Sequence, residues 1–248
     1  MEKILVNDIL QEASRWGFSL DEQKAKLFVK YYEILLQENQ KYNLTRITMP
    51  ESVLEELFFD SLAGFLKAKN KTVEDLVDLG SGAGFPGIPL KIYFPDLKLT
   101  VVDASQKKIS FLRFLINKLD LNGINLMHKR AEDLGRGPGR ETYSHVTARA
   151  LAPLPVAVEL ALPLLKKGGL FWAFKGPSAL SELNRAKEIV RRCGGKHIDT
   201  ITYSLPRSKK KRIVLIFSKE NETEKIFPRR AGIPQKRPLE KIIYRMQE

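Results

Sequence analysis

A glycine-dense turn between two apolar strands limits the folds open to this chain more than any other feature. Leu76-Val77-Asp78-Leu79 reads as a buried strand running into Gly80-Ser81-Gly82-Ala83-Gly84-Phe85-Pro86-Gly87. Glycine allows positive φ and removes the Cβ that would keep backbone away from a ligand. A second apolar strand, Leu97-Lys98-Leu99-Thr100-Val101-Val102-Asp103, ends in a carboxylate. Strand, glycine turn, helix and acid-ended strand is the layout of a nucleoside-binding βαβ unit, in which the acid holds ribose hydroxyls. Asp103 has a second reading, as the cap of a helix that starts at Ser105.

The flanking pattern settles which nucleoside fold is meant. Strands are predicted over 75–79, 98–102, 124–129, 145–149 and 169–174, with helices over 87–93, 106–120, 153–166 and 178–193. Such alternation implies an α/β fold with a mostly parallel sheet and helices on both faces. Two strand-like runs, 197–204 and 212–218, follow with no helix between them, so an antiparallel hairpin closes one edge. A dehydrogenase would need a second parallel half, and the chain is too short for one after Asp103. The plan matches class I S-adenosylmethionine-dependent methyltransferases, Rossmann-like with an antiparallel finish.

Residues 1–71 read as a separate helical region, 72–219 as the methyltransferase domain and 220–248 as a basic tail. Ser19 and Glu22 form a capping box opening a long helix whose face carries Leu27, Tyr31, Ile34 and Leu35. Another helix begins near Pro50 and turns Leu54, Leu57, Phe58, Phe59, Leu62, Phe65 and Leu66 inward. Tyr42-Asn43-Leu44-Thr45 connects the two.

The net charge of +13 is uneven. Residues 1–71 hold 10 basic against 11 acidic side chains, so the remainder carries 32 against 18. A positive surface confined to the nucleoside-binding part favours a nucleic-acid partner over a membrane. No apolar run approaches the ~20 residues of a membrane span. The first residues lack a leader's basic start and apolar core, and the lone Cys193 excludes an internal disulfide, so a cytoplasmic location is expected, with a monomer as the expected state.

Candidate contacts follow the strand ends. Gly80, Gly82, Asp103 and Ser105 are placed for the cofactor. Ala131 and Glu132, after the third strand, are placed to read its base, although Glu132 and Asp133 also suit a helix start. Arg149 ends an apolar strand, where a charge needs a ligand or an ion pair. For RNA phosphates the candidates are Lys175, Arg207, Lys209, Lys210, Lys211 and Arg212, with Arg229, Arg230, Lys236 and Arg237 in the tail. The alternative for the hairpin cluster is a solubilising loop.

Together these residues resemble one family closely, the glucose-inhibited division protein B family of bacterial small-subunit rRNA guanine-N7 methyltransferases. The resemblance rests on the Gly80–Gly84 loop with its Phe85-Pro86-Gly87-Ile88-Pro89 extension, on Tyr42-Asn43-Leu44-Thr45, Asp60-Ser61-Leu62 and Lys107-Lys108-Ile109-Ser110-Phe111-Leu112. Ala131-Glu132, Arg149-Ala150, Phe174-Lys175-Gly176 and the tail Phe227-Pro228-Arg229-Arg230-Ala231-Gly232-Ile233-Pro234 agree as well. It implies methyl transfer from S-adenosylmethionine to a guanosine of 16S rRNA, in naked RNA or in the small subunit, with cofactor contacts at Gly80, Phe85, Ala131, Glu132 and Arg149. Many members carry a histidine where this chain has Leu57, so no role of that histidine transfers.

Guanine N7 has a free lone pair and loses no proton on methylation, so no general base is required. Asn43, Asp60 and Arg149 are the candidates for holding the guanine, with packing or capping as the alternative for Asn43 and Asp60. His128, His145 and His197 are scattered, and no metal-ligand cluster is evident. A small-molecule methyltransferase and a non-catalytic RNA-binding assembly factor remain the alternatives.

Overall fold

The computed structural model describes residues 4–68 and 73–239. The expected boundary at 71/72 and the tail beyond Leu239 lie outside them. The chain opens with helices Val6–Trp16 (α1) and Glu22–Tyr42 (α2), then Pro50–Val53 (α3), a π-helical turn Leu54–Phe59 and Asp60–Leu66 (α4). Strands Asp75–Leu79 (β1), Lys98–Asp103 (β2), Ile124–His128 (β3) and Tyr143–Arg149 (β4) alternate with helices Gly87–Tyr93 (α5), Gln106–Leu119 (α6) and Ala131–Gly135 (α7). Leu154–Ala161 (α8), Leu165–Lys175 (β5), Ala179–Arg192 (α9), Gly195–Ser204 (β6), Lys211–Lys219 (β7) and the short Ile233–Lys236 (α10) complete it.

The strands form one sheet in the order β3-β2-β1-β4-β5-β7-β6. Strands β1 to β5 are parallel, and β7 runs antiparallel to both β5 and β6. The order reverses at β1, so a crevice opens beyond the carboxyl ends of the central strands, where such sheets bind ligands.

Successive side chains on a strand point to opposite faces, and both faces here are apolar. Leu76, Leu99, Trp172, Phe174, Val214 and Ile216 join a core with α1, α2, the 50–66 helical run, α5 and α6. Their neighbours Val77, Val102, Phe171, Ala173, Leu215 and Phe217 join a second core with α7, α8 and α9. The helical region over 1–71 therefore shares a continuous core with the sheet, through the described residues 4–68.

Two expectations need correction. The cap of α2 is Asp21, whose carboxylate accepts the Lys24 N–H at 2.8 Å, and Ser19 is exposed outside the helix. The helix expected over 153–166 ends at Ala161, because Pro163 lacks an N–H; a short 3₁₀ turn leads into β5 at Leu165. Residues 220–237, the described part of the basic tail, pack against the domain. Phe227 is 1% exposed, and the Arg140 guanidinium donates to the carbonyls of Phe227 (2.6 Å) and Thr223 (2.7 Å).

Asp21→Ala should lower stability by about 1 kcal/mol, the usual cost of a lost cap, while Ser19→Ala should stay within about 0.5 kcal/mol. Urea unfolding of the two variants beside the parent checks this.

Candidate active site

The glycine turn is held from behind by the N-terminal layer. Tyr31 of α2, fully buried, donates its hydroxyl to the Ala83 carbonyl, and its ring stacks on Phe85 with centroids 5.5 Å apart. Gly84 has φ +104°, and a Cβ there would lie 2.7 Å from the Tyr31 hydroxyl, so only glycine fits. Phe85 thus braces the turn from the core side instead of lining the cavity in front of it.

Asp78 anchors the turn from β1. Its Oδ2 accepts the Ser81 hydroxyl (2.5 Å) and the Gly87 N–H (2.9 Å), while Oδ1 has no partner among the described residues. Burial lifts the carboxyl from its ordinary 3.8 to about 6, against the pull of the Ser81 and Gly87 bonds. On β2, Asp103 organises the next turn: Oδ2 accepts the Gly82 N–H at 3.0 Å and Oδ1 the Ser105 N–H at 2.8 Å. Gly82 and Ser105 therefore fix the orientation of Asp103, and each of its oxygens retains a lone pair for a further donor.

A cavity of about 330 Å³ opens at these strand ends. Gly80, Asp103, Ala131 and Glu132 line it, as four of the expected cofactor residues. Val102, Leu151, Val156 and Leu160 supply apolar wall, and Lys108, Gly232 and Gln235 complete the rim. The volume lies within the range of small-molecule sites. A carboxylate with free lone pairs beside an apolar slot suits a ribose diol and a flat base, so these residues fit an adenosyl group.

Arg149 does not line this cavity. It enters a neighbouring pocket of about 250 Å³ together with Asp60, Phe174, Lys175, Tyr203 and Arg212, and Ala150 borders both spaces. The Arg149 Nη1 donates to Ser61 Oγ at 3.0 Å and to the Leu57 carbonyl at 3.4 Å; its Nη2 donates to the Glu56 carbonyl and lies 3.3 Å from Asp60 Oδ2. A guanidinium binding two carbonyls of the π-helical turn accounts for that turn's place here, since departures from α-helix persist where side chains engage the backbone.

Asp60 is 1% exposed, and Tyr203 Oη (2.7 Å) and Arg212 Nε (2.9 Å) also donate to it. Tyr203 on one carboxylate oxygen and Arg212 and Arg149 on the other make Asp60 the anchor of the pocket. Burial, and then the Asp60 charge, push the Tyr203 phenol well up. Burial opposes the Arg212 charge, but Asp60 and Glu56 outweigh it and raise its pKa. Asn43 lines neither space; it caps the end of α2 with φ 49°.

Several of the cations expected to face RNA are paired with carboxylates. Arg207 pairs with the buried Glu12 (2.9 Å), Lys210 with Glu56 (2.7 Å), Arg229 with Glu159 (2.6 Å) and Lys175 with Glu182 (2.9 Å). Arg212 belongs with them. Lys209, Lys211, Arg230, Lys236 and Arg237 are exposed and carry no ion pair among the described residues. The acids that pair across the fold, Glu12, Glu56 and Glu159, sit in helical runs far away in sequence. Charge counting along the chain cannot reveal such pairs.

Residues 24–212 match a family described as "GidB: rRNA small subunit methyltransferase G". The chain belongs to this family. It is 42% identical over 231 residues to the Staphylococcus saprophyticus protein named ribosomal RNA small subunit methyltransferase G, covering 93% of this chain and 97% of that one. The Oceanobacillus iheyensis protein of the same name is 43% identical over 226 residues, with 90% and 94% covered. Among solved structures, M. jannaschii TYW2 in complex with AdoMet shares the fold with TM-score 0.52 at 16% identity, covering 70% of this chain and 77% of that one. TrmN from Thermus thermophilus aligns with TM-score 0.51, 16% identity and coverage of 67% and 53%. The fold is that of class I methyltransferases. No described helix is long and apolar enough to cross a membrane.

Asp78 gives the site a pH signature. The folded chain keeps this proton up to about pH 6, whereas an unfolded carboxyl loses it near 3.8. Between those values the native state binds more protons at this carboxyl, so its contribution to stability should fall as pH rises, by at most about 3 kcal/mol, and level off above the window. The stability of the parent relative to Asp78→Asn, from urea midpoints between pH 4 and pH 7.5, should show this fall, because the other carboxyls are common to both chains and cancel in the difference.

Proposed function

We propose that this protein methylates N7 of a guanosine in bacterial 16S rRNA, with S-adenosylmethionine as methyl donor, acting as a cytoplasmic monomer. The observation that carries the reading is the cavity lined by Gly80, Asp103, Ala131 and Glu132 in a member of an rRNA methyltransferase family. The donor, when bound, supplies a methyl group on a sulfonium sulfur. The chain's own task is to hold and orient. Asp103, fixed by two backbone N–H groups, accepts the ribose hydroxyls. The apolar slot of Val102, Ala131, Val156 and Leu160 excludes water from the base. The Gly80 backbone approaches from the β1 end.

The pocket around Arg149 and Phe174 adjoins at Ala150, and we assign the acceptor guanine to it. Phe174 lines its apolar side, with its ring buried and stacked on Phe65 at 5.9 Å between centroids. Arg149, locked by Asp60 and the π-helical carbonyls, presents a fixed positive charge. N7 attacks through its own lone pair, so positioning is the dominant contribution, and orientation alone can supply about 7–11 kcal/mol.

Incubation with S-adenosylmethionine and undermethylated small subunits, followed by borohydride/aniline cleavage and primer extension, should give a new stop at a single guanosine. Absence of any stop while cofactor binds would favour the assembly-factor alternative.

Phosphate contacts fall to the unpaired cations. Lys209→Ala with Lys211→Ala should weaken rRNA binding and flatten the log-affinity against log-salt slope by about 1.5. Arg212→Ala should instead cost about 3 kcal/mol of stability, because it strips a partner from buried Asp60. Filter binding across a salt series and thermal unfolding separate the two effects.

A further inference from the structure

The chain beyond β7 returns across α8 to the cofactor cavity. Arg229 anchors it: the guanidinium spans both oxygens of Glu159 (2.8 and 2.6 Å), and the Arg229 N–H donates to the same carboxylate at 3.0 Å. Glu159 is 1% exposed, so this pair is fixed in the core. Three residues on, Gly232 donates its N–H to Glu132 Oε1 at 2.8 Å. Gly232 has φ +79°, which turns the chain there and brings Gln235 to the cavity rim.

We propose that residues 227–237 form the base-side wall of the cofactor site, and that Gln235 reads the adenine. This rests on the reading of the cavity as the S-adenosylmethionine site. Glu132 is the residue suggested by position for the base edge, but one of its oxygens holds the returning chain. A carboxylate also only accepts hydrogen bonds, whereas adenine presents an amino donor at N6 beside an acceptor at N7. A carboxamide matches both at once, the pairing by which Gln recognises adenine elsewhere. Gln235 lines the cavity, is exposed, and its carboxamide is unpartnered among the described residues. Glu132 is then a positioning residue that latches the wall, and Gln235 a binding residue.

The test is calorimetric titration of the full chain with S-adenosylhomocysteine and with S-inosylhomocysteine, in which the N6 amine is replaced by a carbonyl. The parent should prefer the adenosyl ligand. Gln235→Ala should weaken it about three- to tenfold, the worth of about one hydrogen bond, and erase most of the preference. Gln235 is exposed, so the variant keeps its core. Amide exchange over 232–237 should slow when S-adenosylhomocysteine binds the parent. If the parent binds and Asp103→Ala weakens it, but Gln235→Ala keeps both affinity and preference, the assignment of Gln235 falls. If exchange over 232–237 is also unchanged by ligand, the wall falls with it. If the parent binds neither ligand, or Asp103→Ala binds as the parent does, the cavity itself has been misread.

Discussion

One buried carboxylate ties the layers of this protein together. Asp60 begins α4, yet its partners come from β4 (Arg149), β6 (Tyr203) and β7 (Arg212). A lone charge at 1% exposure would be strongly unfavourable, and two guanidinium groups with a phenol satisfy it. The network binds the N-terminal helices to the far edge of the sheet. It also sets Arg149 in the pocket that shares Ala150 with the cavity at the strand ends. The π-helical turn before Asp60 belongs to the same arrangement, since its carbonyls accept from Arg149.

A second brace works on the opposite side of the glycine turn. Tyr31 ties the Ala83 carbonyl to α2, and its ring stacks on Phe85. The turn is thus supported by a layer that contributes no residue to the cavity. This division suits a transfer reaction in which proton movement plays little part and rigid placement counts most. The helical layer stiffens the turn, and the sheet ends with their following loops line the cavity. The returning C-terminal segment closes the remaining side.

Much of this was legible along the chain because it is local. Strand periodicity, the glycine turn, the acid ending β2 and the helix after Ser105 depend on neighbours a few residues apart. Both roles open to Asp103 rest on one geometry, since the Ser105 cap leaves lone pairs for a ligand. Asp21 competed with Ser19 for the α2 cap and won through its contact with the Lys24 N–H. Pro163 was a readable stop inside an otherwise helical apolar run. The brace behind Phe85 was not legible, because the turn alone does not show that the Tyr31 ring stacks on it.

The sequence by itself determined the fold class, the place of the glycine turn and the family, because these reside in short-range pattern and in motif. Only the tertiary structure decided which charges are free. Arg207, Arg212 and Arg229 look like phosphate ligands in a basic run, but Glu12, Asp60, Glu56 and Glu159 neutralise them from helices remote in sequence. It also decided that residues 227–237 reach the cavity, through Arg229 on Glu159 and Gly232 on Glu132. The physical reason is common to both. An ion pair or a chain return is set by which surfaces the packed layers bring within about 3 Å, and no pattern along the chain encodes that distance.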